Sequence, residues 1–386
     1  MDFDYTQEQQ DLRDAVAKLG KRYGHEYFVR KAKAGEHSDE LWDEAAKLGY
    51  LGASVPEEFG GGGGGITELA IVCEELAAAG APLLLLVVSP AIAATIVNRH
   101  GTQAQRERWL PGFADGTRKV CFAITEPDAG SNFHKLSTVA KRDGDDYVIT
   151  GRKVYISGVD ECSQVVVVAR MADERTGKLK PALFMVPTDA PGLTLSKLDM
   201  EIVSPENQFL LFFDEVRVPA DTLIGEDAEA GLPALFSGLN PERITVAAMA
   251  CGTARYALER ASTYTASRSV WGRPIGSHQG VAHPMAHAHI QVELARLMVA
   301  KAAALYDAGR DLEAGVNANM AKYASAEASA LAVDTAIQAH GGNGMTTEYG
   351  VATLLGATRA GRIAPVSREM ILNFVAQHLM GQEKSY

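Results

Sequence analysis

Leu12, Val16 and Leu19 recur at helical spacing near the start of the chain, and the helical pattern holds from Gln7 to about Leu110. Ser38 followed by Glu40 and Trp42 predicts a capped helix stopped near Gly49. Between about Val120 and Gly225 the pattern changes. Short β-branched and aromatic runs at 147–150, 153–156, 164–168, 182–186 and 209–213 alternate with Gly, Asp and Pro turns, which predicts a compact antiparallel β domain. From Ala228 onward, Ala-rich segments regain the helical period, marked by Ile290, Leu294, Leu297 and Met298 and broken at Gly309, Gly341 and Gly361. Long helices on short connections predict an antiparallel bundle. The expected class is α+β: a helical domain over 1–119, a β domain over 120–227 and a helical bundle over 228–386.

Composition narrows this picture. The 386 residues are 47% hydrophobic and 22% charged, as in an ordinary soluble globule of two or three domains. The formal charge of −11 repels phosphate backbones and argues against a nucleic-acid or anionic-membrane surface. Acidic and polar residues at the start exclude a secretory or transit reading, and the longest apolar run, 81–88, is too short to span a bilayer. Cys73, Cys121, Cys162 and Cys251 have neither metal spacing nor a disulfide context, so a cytoplasmic location is expected. The six glycines of 60–65 follow no strand and precede no Lys-Ser/Thr, which predicts a flexible surface connection rather than a phosphate cradle. His283 and His287 fall four apart, with His289 nearby, but no acidic partner stands between them and no metal is expected.

Four motifs carry the candidate chemistry. Thr125-Glu126-Pro127-Asp128-Ala129-Gly130-Ser131 is followed by Gly151-Arg152-Lys153-Val154-Tyr155-Ile156-Ser157-Gly158. Next come Arg268-Ser269-Val270-Trp271-Gly272 with Gln279, and finally Gln338-Ala339-His340-Gly341-Gly342-Asn343-Gly344. Gly341 also reads as the left-handed cap of the helix before it; a Rossmann reading fails because that preceding segment is helical. In order and spacing these motifs resemble the acyl-CoA dehydrogenases over nearly the whole chain.

The resemblance implies three domains, the last a four-helix bundle, with non-covalent FAD as cofactor, a homotetramer built as a dimer of dimers, and an electron-transfer flavoprotein as electron acceptor. It places Phe122, Ile124, Thr125, Tyr155, Ile156 and Ser157 along the flavin, Tyr155 standing where many relatives have tryptophan. It sets Arg268, Trp271 and Gln279 against FAD supplied largely by a partner chain, and the backbone of Gln338, Gly341 and Gly342 against a neighbour's pyrophosphate. Ser131 becomes a contact to pyrophosphate or acyl-CoA; Ser367 and Glu369 fall where the family touches FAD, and Asn240 and Arg243 where it touches substrate.

Removing an α proton as hydride leaves Cβ of a thioester needs a base and a hydride acceptor, and only a cofactor supplies the second. The position where most relatives keep the basic glutamate holds Pro365. Glu369 lies several residues further on and is expected to point elsewhere. Glu242 matches instead the glutamate of the isovaleryl- and long-chain-type members, and it becomes the expected base; the bland alternative is a charged pair with Arg243 in a helix starting after Pro241. The activity implied is oxidation of an acyl-CoA to a trans-2-enoyl-CoA in fatty-acid β-oxidation. Alternatives are a dehydrogenase or oxidase for carrier-protein-bound thioesters, or a non-catalytic subunit.

Overall fold

The computed structural model describes residues 4–173, 176–225 and 231–384, so the expected 227/228 boundary lies outside the described residues, as do both chain ends. The chain opens with α1 (Gln7–Ala34), whose Thr6 hydroxyl accepts from the Gln9 amide while the Gln9 side chain accepts from the Thr6 amide. Val16 and Leu19 are buried as their spacing predicts. α2 (Asp39–Lys47) forms where expected, yet the Ser38 side chain makes no capping bond and its hydroxyl is buried without a partner. α3 (Ile66–Ala78) is buried along most of its length.

The glycine run is not a loose connection. Gly62, Gly63 and Gly64 donate to the carbonyls of Gly52, Val55 and Ala53 at 2.9–3.0 Å. A Cβ at Gly61 would stand 2.1 Å from the Val55 oxygen, so close backbone approach, not flexibility, accounts for glycine there. After Leu86 the chain winds as a π-helix over Val87–Ala94 with Pro90 inside, then continues as α4 (Thr95–His100) and α5 (Gln103–Ala114).

The middle domain is a seven-stranded sheet: β1 (Val120–Ala123), β2 (Val139–Asp143), β3 (Asp146–Ser157), β4 (Gln164–Ala172), β5 (Leu179–Pro187), β6 (Leu193–Leu198) and β7 (Gln208–Pro219). Its order is β1-β4-β2-β3-β7-β6, with β5 on the other edge of β4. It is not wholly antiparallel: β1 runs parallel to β4, and Val139 of β2 joins Arg170 of β4 in the same sense. β4 is buried throughout its apolar run because it has neighbours on both edges.

The last domain contains α6 (Gly231–Ser267), a small hairpin of β8 (Ser269–Val270) and β9 (Arg273–Pro274), α7 (Gln279–Asp307), α8 (Asp311–His340), α9 (Leu355–Ala360) and α10 (Arg368–His378). Three long helices pack on one another, and the shorter α10 packs on α8. Alanines seven apart line the seams and are fully buried: Ala247, Ala254 and Ala261; Ala288, Ala295 and Ala302; Ala314, Ala321 and Ala328. These small side chains let the backbones close up. α3 meets α6 at Gly252, where a Cβ would lie 2.1 Å from the Glu74 carbonyl oxygen. The helical period marked by Ile290, Leu294, Leu297 and Met298 is that of α7, on which the first three are each more than half exposed while Met298 packs partly buried against the core. No helix among the described residues is long and apolar enough to cross a membrane.

Candidate functional site

A buried ion pair builds the first part of the site. β1 delivers the chain into the 124–138 loop, and Lys153, on the facing strand β3, reaches across to it. Its ammonium donates to the Ile124 carbonyl and the Glu126 carboxylate, both at 2.9 Å, and both charged side chains are at most 2% exposed. Glu126 also accepts from the Ser137 amide and hydroxyl at 2.6 Å and from the Thr138 amide at 2.9 Å. Burial would push the Glu126 carboxyl up, but Lys153 and these bonds outweigh it and hold it at about 2. Burial lowers Lys153 to about 8.

That pair fixes the strand opposite. The Val154 amide donates to the Thr125 carbonyl, and a register shift between Lys153 and Ile156 puts Tyr155 on a bulge at φ 59° with 61% of its surface exposed. An L-residue in that left-handed region is strained, and such strain gathers at functional sites. Ser157 hydrogen-bonds the Gln208 side chain. Phe122 and Ile156 are buried, so each can offer a ligand only its backbone, whereas Ile124 and Thr125 are half-buried and Ser131 is exposed.

The second part is a cleft of about 340 Å³ between the end of α6 and the turn after α8, lined by Arg260, Tyr264, Arg268, His340, Asn343 and Tyr349 among others. It brings Arg268 to the Gly-rich turn within one chain. Tyr264 stacks on His340 at 4.4 Å and accepts from the Asn343 amide group. Gly341 sits at φ 59°, which favours glycine, and a Cβ at Gly344 would meet the Ile337 carbonyl at 2.6 Å. Among the described residues nothing lies within 4 Å of a Cβ built at Gly341 or Gly342. Trp271, at φ 53° on the hairpin tip, is 87% exposed and meets the His278 ring edge-to-face at 5.8 Å; Gln279 and Gln338 are exposed too.

The third part lies on α6. Pro241 does not begin a helix but stands inside one. Its missing N–H frees the Ser237 carbonyl, which accepts from the Tyr306 hydroxyl of α7 at 3.1 Å. Glu242 follows. Its half-buried carboxylate has no hydrogen-bond partner among the described residues, and burial raises it to about 7, an effect that Arg243 and Lys322 only partly oppose. Arg243 donates to the Asn240 side chain at 2.9 Å and keeps a buried Nε without a partner. Ser367 caps α10, its hydroxyl accepting from the Met370 amide, and Glu369 points outward beside Arg368.

Motif reading missed Lys322, Arg260, Tyr264 and Tyr349, and it took Glu126 and Lys153 as parts of a signature rather than as a pair. Lys322 had a signal: it lies four residues after Ala318 and three before Ser325, on the buried face of α8.

The arrangement fits a dinucleotide. The second part offers two guanidinium groups and an uncrowded glycine backbone to phosphate, with flat rings beside them. The bulged Tyr155 strand offers a polar edge to a ring system.

Comparison with known proteins agrees with this reading. The N-terminal, middle and C-terminal domain models of acyl-CoA dehydrogenases match residues 6–117, 121–212 and 229–380. Acyl-CoA dehydrogenase FadE12 of Mycobacterium tuberculosis is 58% identical over 381 residues, 99% of this chain and 98% of that one. Butyryl-CoA dehydrogenase from Megasphaera elsdenii shares 29% identity and a TM-score of 0.91, covering 98% of this chain and 100% of its own. A glutaryl-CoA dehydrogenase from Mycobacterium smegmatis in complex with FADH2 shares 25% identity and a TM-score of 0.90, covering 99% of this chain and 97% of its own.

Proposed function

Since the chain belongs to the acyl-CoA dehydrogenase family, FAD-dependent oxidoreductases acting on acyl-CoA, we propose that Glu242 is its catalytic base and that the product is a trans-2-enoyl thioester. The observation that carries this is the state of the Glu242 carboxylate: unpartnered, and raised by burial to about 7. A base works best when its pKa lies near the working pH, and one already satisfied by hydrogen bonds would have to break them first. Pro365 has no acid–base group, and Glu369 is turned to solvent.

In this mechanism Glu242 takes the α proton. The free Nε–H of Arg243 and the Asn240 side chain beside it orient the thioester end of the substrate. Thr125, Ser157 and the 122–125 and 155–157 backbone hold the flavin edge; Arg268, Trp271, Gln279, Gln338, Gly341, Gly342, Ser367 and Glu369 hold the rest of the cofactor, and Ser131 meets pyrophosphate or acyl-CoA. Bound FAD supplies the hydride acceptor that no side chain provides.

The exposed stripe of Ile290, Leu294 and Leu297 on α7 and the outward Trp271 support a homotetramer in which partner chains complete the cofactor site. Electron-transfer flavoprotein as acceptor, a place in β-oxidation, a cytoplasmic location and domain limits at 119/120 and 227/228 are parts of the same reading, supported by the family resemblance and by the change of element type after α5.

Glu242→Gln tests it, because the amide is nearly isosteric and keeps fold and binding. Anaerobic stopped-flow reduction by a good acyl-CoA should slow by at least roughly 10²–10⁴-fold with FAD content unchanged. Full-speed bleaching of the flavin would show that the proton goes elsewhere.

A further inference from the structure

Lys322 is an expensive residue for a helix core. It is 1% exposed, it carries three donors, and among the described residues it makes one hydrogen bond, to the Val366 carbonyl. A buried ammonium is tolerated when an anion answers it. The charged groups that act on it most strongly are Glu242 and Arg243 from α6, which packs on α8, Glu369 from α10 and Glu327 from its own helix. Glu327 is already claimed, pairing with Arg362 at 2.8 Å and Arg368 at 3.4 Å. Glu369 is 70% exposed at its side chain and sits 3.2 Å from Arg368, so water and that arginine screen it. Of the three carboxylates, Glu242 is the one that is neither exposed nor hydrogen-bonded to a cation among the described residues. The Val366 bond also ties Lys322 to the segment that carries Pro365.

We infer that Lys322 is a positioning residue for the reaction: tethered by the Val366 carbonyl, its buried ammonium serves as the counter-charge that keeps Glu242 in the anionic form able to accept the α proton. The inference rests on the reading of Glu242 as base. Burial lowers Lys322 itself to about 8, an effect that Glu242 partly opposes.

The test is the pH profile of flavin reduction by saturating acyl-CoA in single turnover, with FAD content and the apparent Kd for substrate recorded alongside. Lys322→Met removes the charge and keeps the length and apolar stem. Its acidic limb should move up by about one pH unit or more, which makes reduction about fivefold slower or worse at pH 7 and close to wild type at pH 9. Lys322→Arg keeps the cation and should restore the wild-type inflection, even where packing around the larger group lowers the rate at every pH. Should Lys322→Met fail to retain FAD, the same profile of Lys322→Gln, which also lacks the charge, decides: an acidic limb displaced upward supports the inference, and one left in place overturns it. An unmoved acidic limb in a folded Lys322→Met protein, alongside an inactive Glu242→Gln, overturns the role of Lys322 alone. Full-speed reduction in Glu242→Gln overturns the base assignment and this inference with it.

Discussion

Lys153→Met is the most informative single change to the scaffold of the site. It leaves the Glu126 carboxylate 2% exposed and without its cation. Removing one partner of a buried pair costs about 3–5 kcal/mol, because the other charge stays buried and unpaired. Glu126 keeps its bonds from Ser137 and Thr138, which pulls the figure toward about 3 kcal/mol, while the freed Ile124 carbonyl adds about 1 kcal/mol. The expected loss is therefore about 4 kcal/mol. The double variant Glu126→Gln with Lys153→Met should lose much less, about 1 kcal/mol, and the reason lies in opposing signs. Glu126 has a folded pKa held below its unfolded value, so it stabilises above about 4.5 and loses that contribution as pH falls toward about 2. Lys153 is also depressed, so its charged form is a cost below about 8, relieved as pH rises toward 10.5. At neutral pH the two largely offset each other, and deleting both changes little. Denaturant unfolding at pH 7 reads the losses, and the FAD absorbance retained after gel filtration reads the geometry of the 124–131 loop. A loss under about 1 kcal/mol in Lys153→Met, or a double variant as unstable as the single, would refute the account.

Three further outcomes follow from the same structure. Arg268→Ala should lower FAD occupancy and shift the assembly toward smaller species, both read by absorbance and light scattering; unchanged values remove Arg268 from the site. Tyr155→Gly relieves a left-handed residue worth roughly 1–2 kcal/mol of strain, so unfolding should be no easier than in wild type while flavin affinity falls, and a clear loss of stability would show that the ring packs within the chain instead. Glu206, whose carboxylate accepts from the Leu84 amide at 2.9 Å and the Ser204 hydroxyl at 2.6 Å, is raised chiefly by burial. An acid raised in the folded state favours folding most at low pH and loses that contribution as pH rises, so Glu206→Gln should gain on wild type as pH rises above the ordinary carboxylate range; melting temperatures that stay parallel through that rise would contradict this.

The succession of helical, β and helical segments was legible because each uses a different hydrophobic period, and long segments carry that signal strongly. Val16 and Leu19 are buried where spacing put them. The period did not say which face is buried. On α7 the core face belongs to Ala288, Val292, Ala295 and Val299, while Ile290, Leu294 and Leu297 face out. A helix seam built on alanine buries its small residues and leaves the large ones for another surface. The six glycines failed for a related reason: composition reads them as slack, but here several stand where a neighbouring backbone leaves no room for Cβ.

Chemistry followed the same division. Residues set by local motifs, such as Thr125, Arg268 and Gly341, were named from sequence because their neighbours along the chain define them. Lys322, 80 positions from Glu242 in sequence, was not. Its role depends on how closely α8 approaches α6, and that closeness comes from Ala247, Ala254, Ala314 and Ala321, residues with no chemistry of their own. The small residues thus do two jobs at once. They bring helix axes near enough to exclude water, which raises Glu242, and they bring a buried cation near enough to limit the rise. Enlarging a seam alanine such as Ala321 should therefore disturb the titration of Glu242 even though the substituted side chain never touches it.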